Sequence, residues 1–360
     1  MRKMIATGIM MSMIACALAG CGSNASSETK STTESADVVA VESEKVSKRT
    51  YYYVAPYQSI PYCVDMHYGF EYAVNQLDGA VEMYCIGPDD GDTDAAADAL
   101  EQVIAKNPDG IIVACWDNNM NAAVEKARAA GIPVVCVESY SDVDYDFYIG
   151  LDNYTTGQET GEQLVKYAGD SGKLLVIGNW GSTNIDDKLR GLEDYLAAYP
   201  GWQVLGTEDG DCDTETSIQA ASNLLTKYGS EVTAFVGLDS ACGGAIATAM
   251  EEQGYDAGSM TVICADREDA MIEYIKNGYI TASLCGQTAS MCSFAVMYLE
   301  MLNAYDLNQA PVTADNEAAG ISVLPDRFYT QNVVITKDNA DLFLHENIDD
   351  SAFATEFYGK

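Results

Sequence analysis

The chain has 360 residues, 48% of them hydrophobic, with 55 acidic against 19 basic side chains and a formal net charge of −36. That balance excludes nucleic-acid binding, which needs lysines and arginines to neutralise phosphates, and leaves an acidic surface that serves solubility.

At the start, Arg2-Lys3 precede an apolar run from Met4 to Leu18. The run has the length of a secretory h-region and is too short to span a bilayer. It ends in Leu18-Ala19-Gly20-Cys21, which resembles the lipobox of bacterial lipoproteins. The resemblance implies removal of residues 1–20, lipid attachment at Cys21 and a place on the outer face of the cell membrane. Residues 21–49 are rich in Ser, Thr, Glu, Ala and Val and carry no aromatic side chain. Such a stretch buries too little apolar surface to offset its ordering entropy, so it reads as a disordered tether with a reach of roughly 30 Å. About 310 residues follow, which is long for one core and suits two domains.

From Tyr51 onward, short apolar runs alternate with longer amphipathic ones. Strands are expected at Tyr51–Ala55, Val81–Cys85, Gly110–Ala114 and Pro133–Val137. A second set is expected at Lys173–Ile177, Trp202–Leu205, Thr233–Val236, Thr261–Ala265 and Ile280–Leu284. Helices are expected between them at Asp92–Lys106, Asn119–Ala130, Thr156–Ala168, Asp187–Ala198, Glu215–Tyr228 and Ser240–Gln253. The switching period predicts an α/β fold with parallel sheets in two similar lobes.

Parallel sheets bind ligands beyond the carboxyl ends of their strands. The residues there are Tyr57 and Tyr62, Trp116 and Asp117, Glu138, Asn179 and Trp180, Asp211, Asp239, Asp266 and Gln287. Carboxylates and amides bind hydroxyls by charge-assisted or paired hydrogen bonds, and aromatic rings cover C–H faces. A sugar presents both.

Ordered marks along the chain carry a family resemblance. They are Pro61-Tyr62; Asn107-Pro108-Asp109-Gly110-Ile111-Ile112; Ala130-Gly131-Ile132-Pro133-Val134-Val135; Gly150-Leu151-Asp152-Asn153; Gly157; Asp239 with Gly244-Ala245; Ala265-Asp266; Asn277-Gly278; and Gln287. The sequence resembles the type I periplasmic binding proteins of the ribose and galactose kind. The resemblance implies two doubly wound lobes joined by three crossovers that close on a ligand. It places the N-terminal lobe at 50–152 plus 288–320 and the C-terminal lobe at 153–287 plus 321–360, with crossovers near Asp152, Gln287 and Ile321. It also implies that the helix beginning near Ala289 belongs to the first lobe. The ligand positions it implies are Tyr62, Glu138, Lys188, Asp266 and Gln287, with Lys188 where the family has an arginine. Tyr57, Trp116, Asp117 and Asp239 complete the candidate set. The chain departs from the ribose pattern at Cys63, Ser139, Cys212 and Leu238, which puts ribose itself in doubt.

The expected function is therefore capture of a small polar ligand, foremost a sugar, between the lobes, for delivery to the permease and ATPase subunits of an ABC importer. A sensory receptor for a membrane kinase or chemoreceptor, and a binder of a nucleoside, polyol or furanosyl signal, remain open beside it. A hydrolase would need a paired acid and base at fixed separation. The chain shows no Ser-His-Asp pattern, has only His67 and His345 as histidines, and is expected not to be an enzyme. No cofactor and no metal is expected: Asp209-x-Asp211-x-Asp213 opens like a calcium loop but has Thr214 and Ala220 where that loop needs Gly and Glu. The cysteines Cys63, Cys85, Cys115, Cys136, Cys212, Cys242, Cys264, Cys285 and Cys292 form no C-x-x-C pair, and many sit in strand-like runs as small hydrophobes. A monomer is expected.

Overall fold

The computed structural model describes residues 48–305, 312–316, 318–321 and 324–347. The leader, Cys21 and nearly all of the expected tether lie outside the described residues.

In chain order the elements are β1 (Arg49–Val54), α1 (Pro61–Gln76), β2 (Val81–Ile86), α2 (Thr93–Ile104), β3 (Gly110–Val113), α3 (Asn121–Ala129), β4 (Val134–Val137), β5 (Phe147–Gly150), α4 (Asn153–Ala168), β6 (Ser171–Gly178), α5 (Thr183–Leu196), β7 (Gly201–Asp209), α6 (Thr214–Tyr228), β8 (Ala234–Gly237), α7 (Cys242–Glu252), β9 (Thr261–Ala265), α8 (Asp269–Asn277), β10 (Ala282–Cys285), α9 (Thr288–Ala304), β11 (Arg327–Tyr329) and β12 (Val333–Ile335). They build two six-stranded sheets, ordered β11-β5-β4-β3-β1-β2 and β12-β10-β9-β8-β6-β7. Pairing is parallel except between β10 and β12.

β3, β4, β5, β8 and β10 are buried at every position, which is why they read as unbroken apolar runs rather than alternations. Alternate side chains still serve opposite faces. Ile112 joins Met66, Phe70 and Val296 from α1 and α9, whereas Ile111 and Val113 join Leu100, Val103 and Val124 from α2 and α3. In the second sheet, Val176 and Ile263 meet Leu164 and Leu192 of α4 and α5, and Phe235 meets Leu224 and Ile246 of α6 and α7. Asp92, Asp152 and Asp213 cap α2, α4 and α6 by accepting from the backbone N–H groups of Ala95, Thr155 and Thr216. Each cap contributes about 1 kcal/mol.

β5, β11 and β12 were not among the expected strands. β11 pairs with β5, so residues 327–329 complete the first sheet rather than the second. The third crossover accordingly runs between Tyr329 and Val333, not near Ile321. There Thr330 N–H bonds the Gly150 carbonyl at 2.8 Å, and Asn332 Nδ2 bonds Thr156 Oγ1 at 2.9 Å, tying the crossovers to one another. α9 packs on the first sheet, its Ser293 hydroxyl donating to the Gly69 carbonyl of α1 at 2.8 Å. All nine cysteines in the described residues are free thiols, eight of them buried.

Candidate functional site

Each sheet has a point where the connections from two neighbouring parallel strands leave to opposite faces, and a crevice opens there. In the first sheet it lies between β1 and β3, and in the second between β6 and β8. The two crevices face each other across a cleft. Tyr57 follows β1, Trp116 follows β3, Glu138 follows β4, Asn179 follows β6, Cys212 follows β7, Asp239 follows β8 and Asp266 follows β9, and all line it. Tyr62 on α1 and Asn184, Ile185 and Lys188 on α5 complete the walls.

Several of these strand-end residues are held in the left-handed region: Glu138 at φ 64°, Asp211 at 53°, Cys212 at 48° and Asp266 at 70°. Non-glycine residues adopt it rarely, and such strain concentrates where side chains must be aimed.

α5 reaches the cleft because α4 lets it. A Cβ on Gly157 would sit 2.0 Å from the Lys188 carbonyl oxygen, and one on Gly191 would sit 2.0 Å from that of Tyr154. The two helix backbones therefore touch, and Asn184 and Lys188, one turn apart, point together into the cleft.

The polar groups there are nearly dry: Glu138 and Asp239 are 4% exposed, Lys188 5% and Asn184 7%. Glu138 accepts from the Tyr62 hydroxyl and from Asn184 Nδ2 at 3.2 Å, a bond between the lobes. Burial, then the Glu138 charge, pushes the Tyr62 phenol well up, so it stays a neutral donor. Asp239 uses Oδ1 to accept from the backbone N–H groups of Ala241 (3.0 Å) and Cys242 (3.2 Å). Its Oδ2, and Asn184 Oδ1, are buried without a hydrogen bond from the protein. Lys188 donates to the Leu238 carbonyl at 3.5 Å. Burial pushes the Asp266 carboxyl up to about 7; the Lys188 charge opposes this, and the Glu138, Glu268 and Asp239 charges add to it. Burial raises Asp239 too, against the weak Cys242 thiol, the N–H bonds and Lys188.

Two expected site residues are not brought in. Gln287 is exposed at the second crossover, and its Nε2 donates to the Gln331 carbonyl at 3.2 Å, a bond between crossovers. Asp117 has both oxygens occupied, by Asn119 N–H at 2.9 Å and the Thr93 hydroxyl at 2.7 Å, and lies at the mouth rather than in the cleft. Asp213 of the calcium-like run is spent on capping α6. Asn184, Ser182, Ile185 and Ser240 line the cleft without having been expected there. For α5 the signal was Ser182-Thr183, a helix start four residues before the expected one.

A clasp closes the cleft on the side of α1. Arg267, after β9, bonds Asp65 of α1 through Nε (2.8 Å) and Nη2 (2.5 Å). His345 sets one ring nitrogen 3.2 Å from Asp65 and the other 2.8 Å from Asp269. The Asp65 bond, then the Asp269 bond, raises the imidazole against burial, so the clasp is strongest at low pH and loosens as pH rises through the shifted value. Arg267→Ala leaves Asp65 only the His345 ring as a cross-lobe partner and is expected to cost the closed state about 1.5–3 kcal/mol. Small-angle scattering would show a larger radius of gyration; an unchanged radius would mean that the clasp does not hold the lobes.

The comparisons with known proteins agree with this geometry. Residues 51–304 match the family described as periplasmic binding protein domain. The chain belongs to that family. The structure of AraP, an arabinose binding protein from Geobacillus stearothermophilus, is 26% identical, with a TM-score of 0.70 over 82% of this chain and 99% of that one. A sugar-binding protein of a sugar ABC transporter from Bacillus halodurans is 26% identical, with a TM-score of 0.73 over 82% of this chain and 100% of that one. A xylitol-binding protein from Mycolicibacterium smegmatis is 20% identical over 255 residues, 70% of this chain and 68% of that protein. The chain is thus a solute-binding protein of the type I periplasmic kind. Among the described residues no helix is long and apolar enough to cross a membrane.

Proposed function

We propose that the protein is an exported receptor, lipid-anchored at Cys21, that captures a neutral polyhydroxylated solute, a sugar or its sugar alcohol, and hands it to an ABC importer. It acts as a monomer and catalyses no reaction. The observation that carries the ligand class is that, of the buried acceptors without a protein hydrogen bond, two belong to residues lining the cleft, Asp239 Oδ2 and Asn184 Oδ1. An unmade buried hydrogen bond costs about 1–3 kcal/mol. Ligand hydroxyls supply the missing donors, Lys188 donates to a ring or hydroxyl oxygen, and Tyr57, Tyr62 and Trp116 cover C–H faces. Glu138 and Asp266 accept further hydroxyls. The arabinose-, sugar- and xylitol-binding relatives support the same class.

A thermal-shift screen of the full chain against arabinose, xylose, glucose, galactose, xylitol and a nucleoside tests this. A ligand at a hundredfold its Kd adds about 2.7 kcal/mol, which raises Tm by several degrees. A selective shift with a sugar or polyol is expected. A shift with the nucleoside alone would overturn the ligand class.

A further inference from the structure

A second, open cavity lies at the mouth of the cleft and shares Tyr57, Trp116, Asn179 and Ser182 with it. Its own residues include Trp180, Asp211 and Asp117. Aromatic side chains reach it from both lobes: Tyr57 and Trp116 follow strands of the first sheet, and Trp180 follows β6 of the second. Glycines lie close against two of these rings. A Cβ on Gly91 would lie 2.2 Å from the Tyr57 hydroxyl oxygen, and one on Gly178 would lie 2.8 Å from the Trp180 ring. The Tyr57 and Trp116 rings stand 5.6 Å apart at 52°, so their faces are not used up on each other. Asp211, exposed and left-handed at φ 53°, adds a carboxylate at the rim.

Aromatic faces beside a polar rim make the chemistry of a second sugar ring. None of the residues lining this cavity is basic, which disfavours a phosphate or uronate there. Trp180 packs partly on the core of the second lobe, and a single ring held by the inner carboxylates would leave the part of it that lines the outer cavity, and Asp211, without a ligand contact.

We infer that the outer cavity is a second sugar subsite, and that the ligand is a neutral disaccharide whose one ring lies among Glu138, Asp239 and Asp266 and whose other ring lies against Trp180. This rests on the saccharide reading given under Proposed function and narrows it.

Isothermal titration of the full chain with matched pairs tests it: xylose and xylobiose, glucose and cellobiose, galactose and lactose, arabinose and arabinobiose. At least one disaccharide is expected to bind about tenfold tighter than its monosaccharide. Trp180→Ala is expected to erase that advantage and leave monosaccharide affinity unchanged. Asp211→Gly, which removes the carboxylate at a position where glycine is at ease, is expected to act in the same direction and guards against misfolding of the tryptophan variant. Monosaccharides binding as tightly as their disaccharides, or an equal loss for both in Trp180→Ala, would overturn the outer subsite and leave the sugar receptor standing. Silence toward every saccharide of either size would overturn the saccharide reading and the subsite with it, and a response to xylitol alone would leave the receptor standing as a polyol binder.

Discussion

Lys188→Met is expected to lower the stability of the ligand-free protein by about 3–5 kcal/mol at pH 8, because it removes the cation from a buried cluster of acids. Lys188 is 5% exposed, and its charge holds the carboxyls of Asp239 and Asp266 down against burial. Methionine fills nearly the same volume, so the loss is electrostatic rather than a cavity. The sign with pH follows. Without Lys188 both carboxyls rise further above their ordinary range, and an acid raised by folding stabilises the protein at low pH and destabilises it as pH rises through the shifted value. The loss should therefore shrink as pH falls toward 5, as protons neutralise the acids that Lys188 no longer balances. Lys188→Met with Asp239→Asn should recover much of it, since the asparagine Oδ1 can still accept from the Ala241 and Cys242 N–H groups. Urea unfolding at pH 8 and pH 5 checks both points. A loss under about 1 kcal/mol at pH 8 would mean that Lys188 balances no buried charge.

Ligand affinity is expected to fall about tenfold between pH 7.5 and pH 5.5, while the ligand-free protein becomes more stable over the same range. Asp266 is pushed up to about 7 by burial, and Glu268 is pushed to about 7 by burial and the Asp239 charge. A raised carboxyl favours the folded state below its shifted value, which gives the rise in stability on acidification. A ligand hydroxyl donating to Asp266 favours the ionised form, so binding releases a proton and weakens as pH drops. The clasp at His345 works the other way, since its protonation favours closure. Asp266→Asn separates the two, because it should flatten the acid dependence and leave the effect of the clasp. Titration calorimetry in two buffers of different ionisation enthalpy reads the proton directly. A pH profile of affinity that Asp266→Asn leaves unchanged would remove Asp266 from the ligand contacts.

The α/β frame was legible because fully buried parallel strands must be apolar at every position, as β3, β4 and β8 are. β5 escaped because its run follows a stretch of tyrosines and aspartates, Tyr140 to Asp146, that reads as loop. β7 ran on through Thr207-Glu208-Asp209, beyond its expected end at Leu205, because it is an edge strand with largely exposed residues. β11 and β12 have three residues each and exist through pairing with β5 and β10, partners more than forty residues away in the chain, so local pattern carries no trace of them. The misplaced third crossover follows from that.

In the site, position after a strand found Tyr57, Trp116, Glu138, Asp239 and Asp266, and the family resemblance supplied Lys188. Asn184 was lost with the first turn of α5, although its neighbour Lys188 one turn on was found. Gln287 follows a strand that ends at a crossover, which looks in sequence like a strand end at a cleft. Only the bond to Gln331 tells them apart.

A crystal structure of the protein with a tightly bound sugar or polyol tests the central claim most directly. The account predicts ligand hydroxyls within hydrogen-bond reach of Asp239 Oδ2 and Asn184 Oδ1, with a C–H face against Tyr62 or Trp116. A ligand seated elsewhere, with those two oxygens still lacking a donor, would contradict it.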